Sequence, residues 1–268
     1  MEIPIEWFLI ILIVSCIIVG FVVYLYVLGT YHRKWIQCGL IHEEPFKIPI
    51  ETKEGKIELE AKIIKSDYTA KNLAPCIITC HGWRGNLNGF RYLQYPLALY
   101  GYAVVTYSSR GHGKSGGKVK FLQIFEDIIK VFDFLQTNNH DFGIDTDRIA
   151  VIGHSMGASI ALLRAYQDAR VKMVVGISGM HGLQPISTEE LNQVGDPKYY
   201  LSKPGNAQVL LIHAKNDKIV RFHNFEKNVA RFHLPPDHTL VFEKGGHSLY
   251  RLECMILAQV IKWLDQYL

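Results

Sequence analysis

The stretch "VIGHSMGASIAL", residues 151–162, places Ser155 between Gly153 and Gly157, where an apolar run changes into a helix-like pattern. A serine in this position is either a nucleophile on a sharp strand-to-helix turn or a small residue in an ordinary glycine turn. Because Gly-x-Ser-x-Gly is short enough to occur by chance, the segments around it have to decide between these two roles.

From residue 47 to the end, strand-like segments alternate with helix-like ones. "FKIPIE" and "KIELEAKIIK" read as two alternating strands near an edge of a sheet. Residues 119–138 place their apolar side chains on one helical face. Six further segments have the apolar composition of buried strands, namely residues 75–80, 102–107, 148–153, 171–178, 208–213 and 238–243. This alternation predicts an α/β domain with a mostly parallel central sheet and helices on both faces.

Ligands of such sheets bind beyond the carboxyl ends of the strands, so the residues that follow each strand are the candidates for function. Ser155, Asp217 and His247 each follow a different predicted strand, in the order Ser, Asp, His. This is the order expected when the nucleophile lies on a strand-to-helix turn. A serine hydroxyl needs a base, which His247 can supply, and Asp217 can hold that imidazole in the required tautomer.

An acyl-transfer reaction also needs two N–H donors for the oxyanion. The backbone N–H of Met156, directly after Ser155, is one candidate. The backbone N–H of Trp83, which follows the strand at 75–80, is the second. We expect both residues to act through the main chain and not through their side chains.

Five motifs occur in a characteristic order, namely "HGWRGN", "SRGHGKS", "GHSMG", "NDKIV" and "GGH". With these motifs the chain from about residue 47 resembles an α/β-hydrolase of the branch that contains monoglyceride lipases, serine aminopeptidases and membrane-anchored Bem-type hydrolases. The resemblance implies a triad of Ser155, Asp217 and His247, with Trp83 and Met156 at the oxyanion positions. It also implies a lid, which would be small because only residues 179–207 are available for it. The family often has an aspartate where this chain has Ser108, which puts one structural loop contact in doubt.

The N-terminal segment is strongly apolar. Residues 7–28 carry no charge and as a helix would extend about 33 Å, enough to cross a bilayer. Glu2 and Glu6 precede the run and no small-residue cleavage site follows it, which favours an anchor over a cleaved signal peptide. We therefore predict a single-pass anchor at 1–30, a linker at 31–46 and a hydrolase domain at 47–268. Arg33 and Lys34 after the helix place that domain in the cytoplasm.

The composition argues against nucleic-acid-binding, disulfide-rich and metal-binding classes of protein. The net charge is +4, but basic residues are interspersed with acidic ones along the sequence, so no nucleic-acid partner is expected. Five cysteines, one of them in the apolar N-terminal run, do not suggest a disulfide framework. The histidines are too dispersed for a metal site, and no cofactor motif is complete.

The predicted function is hydrolysis of carboxylic esters through an acyl-enzyme on Ser155. The anchor favours lipid-like acyl substrates together with the bilayer itself as a partner. A peptidase of the aminopeptidase type and an acyl thioesterase remain open as alternatives. A hydrolase-shaped binding protein without activity is the alternative outside enzymes, and a complete set of triad residues speaks against it.

Overall fold

The computed structural model describes residues 39–52, 55–70, 73–182 and 205–268. The predicted anchor at 1–30, the first part of the linker and lid residues 183–204 lie outside these ranges. Within the described ranges no helix is long and apolar enough to cross a bilayer. Residues 43–268 form one compact unit, which contains every residue of the candidate site described below.

Eight strands form one sheet, in the order β1-β2-β4-β3-β5-β6-β7-β8. Their bounds are β1 Ile41–Thr52, β2 Gly55–Ser66, β3 Ala74–Cys80, β4 Ala103–Tyr107, β5 Ile144–His154, β6 Val171–Ile177, β7 Gln208–Ala214 and β8 Thr239–Phe242. β2 pairs antiparallel with β4, and the pairs from β4 through β3, β5, β6 and β7 to β8 are parallel. The predicted mostly parallel sheet, with the two alternating strands at an edge, is confirmed.

The helices of the described ranges lie between successive strands, except the last one, which follows β8. They are α1 Arg91–Leu99, α2 Phe121–Thr137, α3 Asn139–Phe142, α4 Met156–Leu163, α5 His223–Phe232 and α6 Glu253–Tyr267, with short 3-10 turns at Ala165–Gln167 and Pro236–His238. The apolar face predicted for α2 is buried, except that Phe121 is only half-buried. Both faces of β3 are buried as well, so layers cover the sheet on both sides.

Two strands begin several residues earlier than the sequence predicts. β5 begins at Ile144 and not at residue 148. β1 begins at Ile41, whereas residues 31–46 were predicted as linker. The segment "IHEEPF" lacks strict alternation and contains Pro45, which concealed the strand. Proline is tolerated there because β1 is an edge strand, where one side of the backbone has no strand partner.

The register of the parallel strands brings their carboxyl ends to a common edge. Cys80 at the end of β3 lies beside Gly153 near the end of β5, and His154 lies beside Ile177 at the end of β6. At the far side of the sheet, Ala214 lies beside Phe242. The loops after β3, β5, β7 and β8 therefore all start from the same edge of the sheet.

The even mixture of charges seen along the sequence does not persist in the fold. The described loops after β3, β4, β7 and β8, at the carboxyl edge of the sheet, are rich in lysine and arginine, whereas several aspartates lie in described loops at the opposite edge. The sequence obscures this sorting because each parallel strand carries the chain to the carboxyl edge and the connection after it returns the chain to the opposite edge.

Candidate active site

Ser155 occupies a strained turn between β5 and α4. Its backbone has φ 53° and ψ −113°, a conformation that non-glycine residues rarely adopt. The flanking glycines are required by close packing, as predicted. A Cβ on Gly153 would lie 2.1 Å from the Gly157 carbonyl oxygen, and one on Gly157 would lie 1.9 Å from that of Cys80. The turn thus presents Ser155 at the carboxyl edge, on a central strand.

Asp217 and His247 are joined by a hydrogen bond of 2.8 Å between Oδ2 and Nδ1. The Asp217 side chain is fully buried, and its Oδ1 accepts the backbone N–H groups of Ile219 at 2.8 Å and Val220 at 3.0 Å. Since the carboxylate accepts, Nδ1 of His247 carries the hydrogen and Nε2 keeps its lone pair. This is the tautomer that a general base requires.

Two further side chains hold the loop that carries His247. The Asn216 side-chain oxygen accepts the backbone N–H groups of Gly245 at 3.0 Å and Gly246 at 2.8 Å. His154, next to Ser155, donates from Nε2 to the backbone carbonyl of His247 at 2.9 Å. Burial lowers the pKa of His154 and outweighs the hydrogen bond to the His247 carbonyl, which raises it, so the neutral ring is favoured. Asn216 is the first residue of the motif "NDKIV", but the sequence analysis assigns it no role.

Ser155 and His247 both lie in the described part of the chain, and no hydrogen bond joins their side chains. His154, the residue before Ser155, nevertheless lies next to His247, with the two ring centroids 4.8 Å apart. Ser155 itself is 8% exposed, so a small opening reaches it. Catalytic hydrogen bonds are often absent without substrate and form in the bound complex.

The two predicted oxyanion donors are available. The backbone N–H groups of Trp83 and Met156 have no hydrogen-bond partner within the part of the chain that the structure describes. Gly82 approaches the nucleophile closely, since a Cβ placed on it would lie 3.5 Å from the Ser155 Cβ. The Trp83 indole stacks on Phe121 with ring centroids 5.2 Å apart.

His81 fixes the loop that carries Trp83. The backbone N–H of Ser109 donates to its Nε2 at 2.9 Å, so the hydrogen resides on Nδ1, which donates to the Gly82 carbonyl at 2.7 Å. Burial lowers the pKa of His81 from 6.5 to about 4, and His112 contributes in the same direction. His81 is therefore a neutral structural link between two loops at neutral pH.

The loop contact that Ser108 put in doubt is made by a different carboxylate. Glu60 on β2 accepts a hydrogen bond from the Ser108 hydroxyl at 3.1 Å and another from the Lys114 backbone N–H at 2.9 Å. The backbone N–H of Leu87 donates to the same hydroxyl at 3.1 Å. Ser108 and Glu60 thus join the loop after β4 to β2.

No group of three or more His, Cys, Asp or Glu side chains within the described ranges is arranged to hold a metal ion. Cys76 and Cys80 are buried in the core, where burial raises the pKa of each thiol to about 12. Both pack as small apolar residues, as predicted.

Comparison with known proteins finds a family model that matches part of the chain. Residues 71–203 match the model of the Hydrolase_4 family, described as serine aminopeptidase, S33, a match that includes Ser155 and ends before Asp217. The uncharacterized protein YqkD of Bacillus subtilis is 39% identical over 106 residues, which are 38% of this chain and 33% of that protein. The chain thus spans about a third of the length of that curated relative.

Solved structures share the fold at low identity. Est1E of Butyrivibrio proteoclasticus, bound to ferulic acid, has a TM-score of 0.67 at 18% identity, covering 82% of this chain and 98% of that one. The acylaminoacyl peptidase of Pyrococcus horikoshii has a TM-score of 0.61 at 20% identity, covering 82% of this chain and 41% of that one. The fold is therefore that of the α/β-hydrolases. The match to the Hydrolase_4 model, over just under half of the chain, is a likeness to serine hydrolases of this fold.

Proposed function

We propose that the protein is a membrane-anchored serine hydrolase that cleaves carboxylic esters, with a preference for lipid-like acyl groups. The Ser155 hydroxyl oxygen attacks the ester carbonyl carbon while His247 Nε2 takes its proton. The backbone N–H groups of Trp83 and Met156 stabilise the oxyanion. His247 then returns the proton to the leaving alcohol, the C–O bond breaks, and water hydrolyses the acyl-enzyme to release the acid.

The single observation that carries this proposal is the buried hydrogen bond of 2.8 Å between Asp217 and His247 at the edge where Ser155 stands. A buried carboxylate that orients an imidazole, beside a serine held at a positive φ, is the arrangement that acyl transfer needs. In the proposed reaction, substrate binding brings Ser155 Oγ within hydrogen-bonding reach of His247 Nε2.

The membrane part of the proposal rests on residues 7–28, which carry no charge, and on Arg33 and Lys34 beyond them. A helix there would place the hydrolase domain in the cytoplasm and keep it near molecules that already reside in the bilayer. Cys254 offers a test of this orientation, because it is exposed and lies in the hydrolase domain. In sealed cells an impermeant maleimide should leave Cys254 unlabelled, and opening the membrane should expose it. Labelling of sealed cells that disappears in Cys254→Ser would contradict the orientation.

Labelling with a fluorophosphonate tests the chemistry. The full chain should form one covalent adduct on Ser155, and Ser155→Ala should abolish it. Ser248→Ala, which removes an exposed serine next to His247, is the matched control and should keep the adduct. Folded protein that does not label, or that labels equally in Ser155→Ala, would overturn the proposal.

A peptidase acting on short peptides is the second candidate. The description of the matched family and the likeness to an acylaminoacyl peptidase favour it. Comparing kcat/KM for acyl esters, thioesters and aminoacyl amides distinguishes these possibilities, and a larger value for the amides would replace the ester assignment.

A further inference from the structure

The loops at the carboxyl edge of the sheet carry a concentration of unpaired positive charge. We define the carboxyl-edge rim as the described loops after β3, β4, β7 and β8. Its exposed cations, none of which forms an ion pair within the described residues, are Arg84, Lys114, Lys118, Lys218, Arg221, Lys244 and Arg251. The rim has two carboxylates, Asp217, which is buried against His247, and Glu243, which pairs with Lys215 at 2.6 Å. Glu60 of β2 also contacts the rim, through the backbone N–H of Lys114 at 2.9 Å. These three carboxylates are fewer than the seven exposed cations.

The opposite edge has the reverse character. Six aspartates lie on the loops and strand starts there, namely Asp67, Asp141, Asp145, Asp147, Asp168 and Asp237. Basic side chains at that edge are largely engaged, as in the pair of Arg148 with Asp145 at 2.6 Å and of Arg170 with Asp168 at 2.8 Å. Among the described loops, those of the carboxyl-edge rim are therefore positive around the candidate active site, and those at the opposite edge are acidic.

Large apolar side chains stand exposed among the cations of the rim. Ile219 is 74% exposed, Tyr250 is 63% exposed and Trp83 is 48% exposed. They belong to three different loops, and the Arg251 guanidinium lies 5.3 Å from the centroid of the Tyr250 ring. Exposed apolar residues interspersed with basic ones are the composition of surfaces that lie in the headgroup region of membranes, with aromatic rings at the boundary.

We propose that the carboxyl-edge rim binds directly to an anionic lipid bilayer. The cations contact headgroup phosphates, and Ile219, Trp83 and Tyr250 enter the boundary of the acyl chains. A nucleic acid would satisfy the charges but would leave Ile219 in water, so the observations favour lipid. This contact is made by the hydrolase domain itself, so it goes beyond the proposed N-terminal anchor and requires no assignment of the triad.

Hydrogen exchange of the full chain tests the contact without using activity. The chain is measured with nanodiscs of phosphatidylcholine alone and with nanodiscs that contain phosphatidylglycerol as well. Peptides covering 81–90, 215–222 and 244–251 should exchange more slowly with the anionic discs, while peptides covering 138–148 should not change. High salt should remove the protection, because it screens the charges. Equal exchange of the rim peptides with both kinds of disc would overturn the proposal.

Matched charge reversals separate the rim from overall charge. Lys218→Glu with Lys244→Glu should weaken binding to anionic discs by at least about 25-fold, since one cation near an anionic surface contributes about fivefold in affinity. Lys172→Glu with Lys262→Glu makes the same change of net charge on exposed residues outside the rim and should keep the protection. Equal losses in both double variants would contradict a specific surface. Rim protection by a single-stranded oligonucleotide, without protection by anionic discs, would also overturn the lipid assignment.

Discussion

Acid sensitivity is expected to arise at His81, because its two ring nitrogens have fixed and opposite roles. Nε2 accepts from the Ser109 backbone N–H, and Nδ1 donates to the Gly82 carbonyl. Protonation would put a hydrogen on Nε2 opposite the Ser109 N–H, so that two donors would face each other in a buried place. The contact would then be lost, and with it the loop that presents the Trp83 N–H to the site.

The magnitude follows from the pKa of His81, which burial lowers from 6.5 to about 4. The unfolded chain therefore binds this proton more readily than the folded one. Stability from the neutral ring is complete above pH 6.5 and is lost as the pH falls from 6.5 toward 4. At about 1.4 kcal/mol for each pH unit, the loss is about 3 kcal/mol, a large part of an ordinary domain's stability.

Denaturant unfolding of the full chain in mild detergent, measured between pH 7 and pH 4, tests this reasoning. His81→Asn should be less stable than the natural protein at pH 7, and the difference between the two should shrink by about 3 kcal/mol by pH 4. His233→Asn, which removes an exposed imidazole, controls for loss of a histidine as such. A difference between His81→Asn and the natural protein that stays within about 1 kcal/mol across this pH range would refute the argument.

Three further changes follow from the site. Asn216→Ala removes the acceptor of two backbone N–H groups and should lower kcat by about tenfold with little effect on KM. Asn216→Asp keeps an acceptor and should retain more activity. Equal losses of activity in the two variants would count against a role of Asn216 in holding the loop. Asp217→Asn should lower kcat by about 10⁴-fold in an ester assay, because the His247 tautomer is lost, and an unchanged rate would remove Asp217 from the mechanism. Gly157→Ala should prevent folding, because the added Cβ would collide with the Cys80 carbonyl. The measurement is loss of the native circular-dichroism spectrum, and a native spectrum would show that the turn can relax.

The sequence predicted the strands well, because burial on both faces leaves a continuous apolar run. The segment predicted at 75–80 is β3 from Ala74 to Cys80, and the one at 208–213 is β7 from Gln208 to Ala214. It predicted the start of β1 less well, since an edge strand needs neither continuous apolarity nor strict alternation. The positions of Asp217 and His247 at one edge could be predicted because parallel strands end together.

Contacts between distant polar side chains could not be predicted in this way. Glu60 reaches Ser108 across 48 positions of sequence, and no local pattern links the two. His154 donates to the carbonyl of His247, a partner that depends on how β5 and the loop after β8 meet. The sorting of charge to the two edges likewise depends on chain direction in three dimensions and not on composition.

The positions of β5 and β8 in the sheet have a consequence for partial opening of the molecule. Ser155 stands on a central strand surrounded by core, whereas His247 follows β8, a four-residue strand at the margin. Fraying of that margin would detach the base and leave the nucleophile turn intact. A molecule with β8 detached would thus lose its hydrolytic activity, and it would regain this activity when β8 pairs with β7 again.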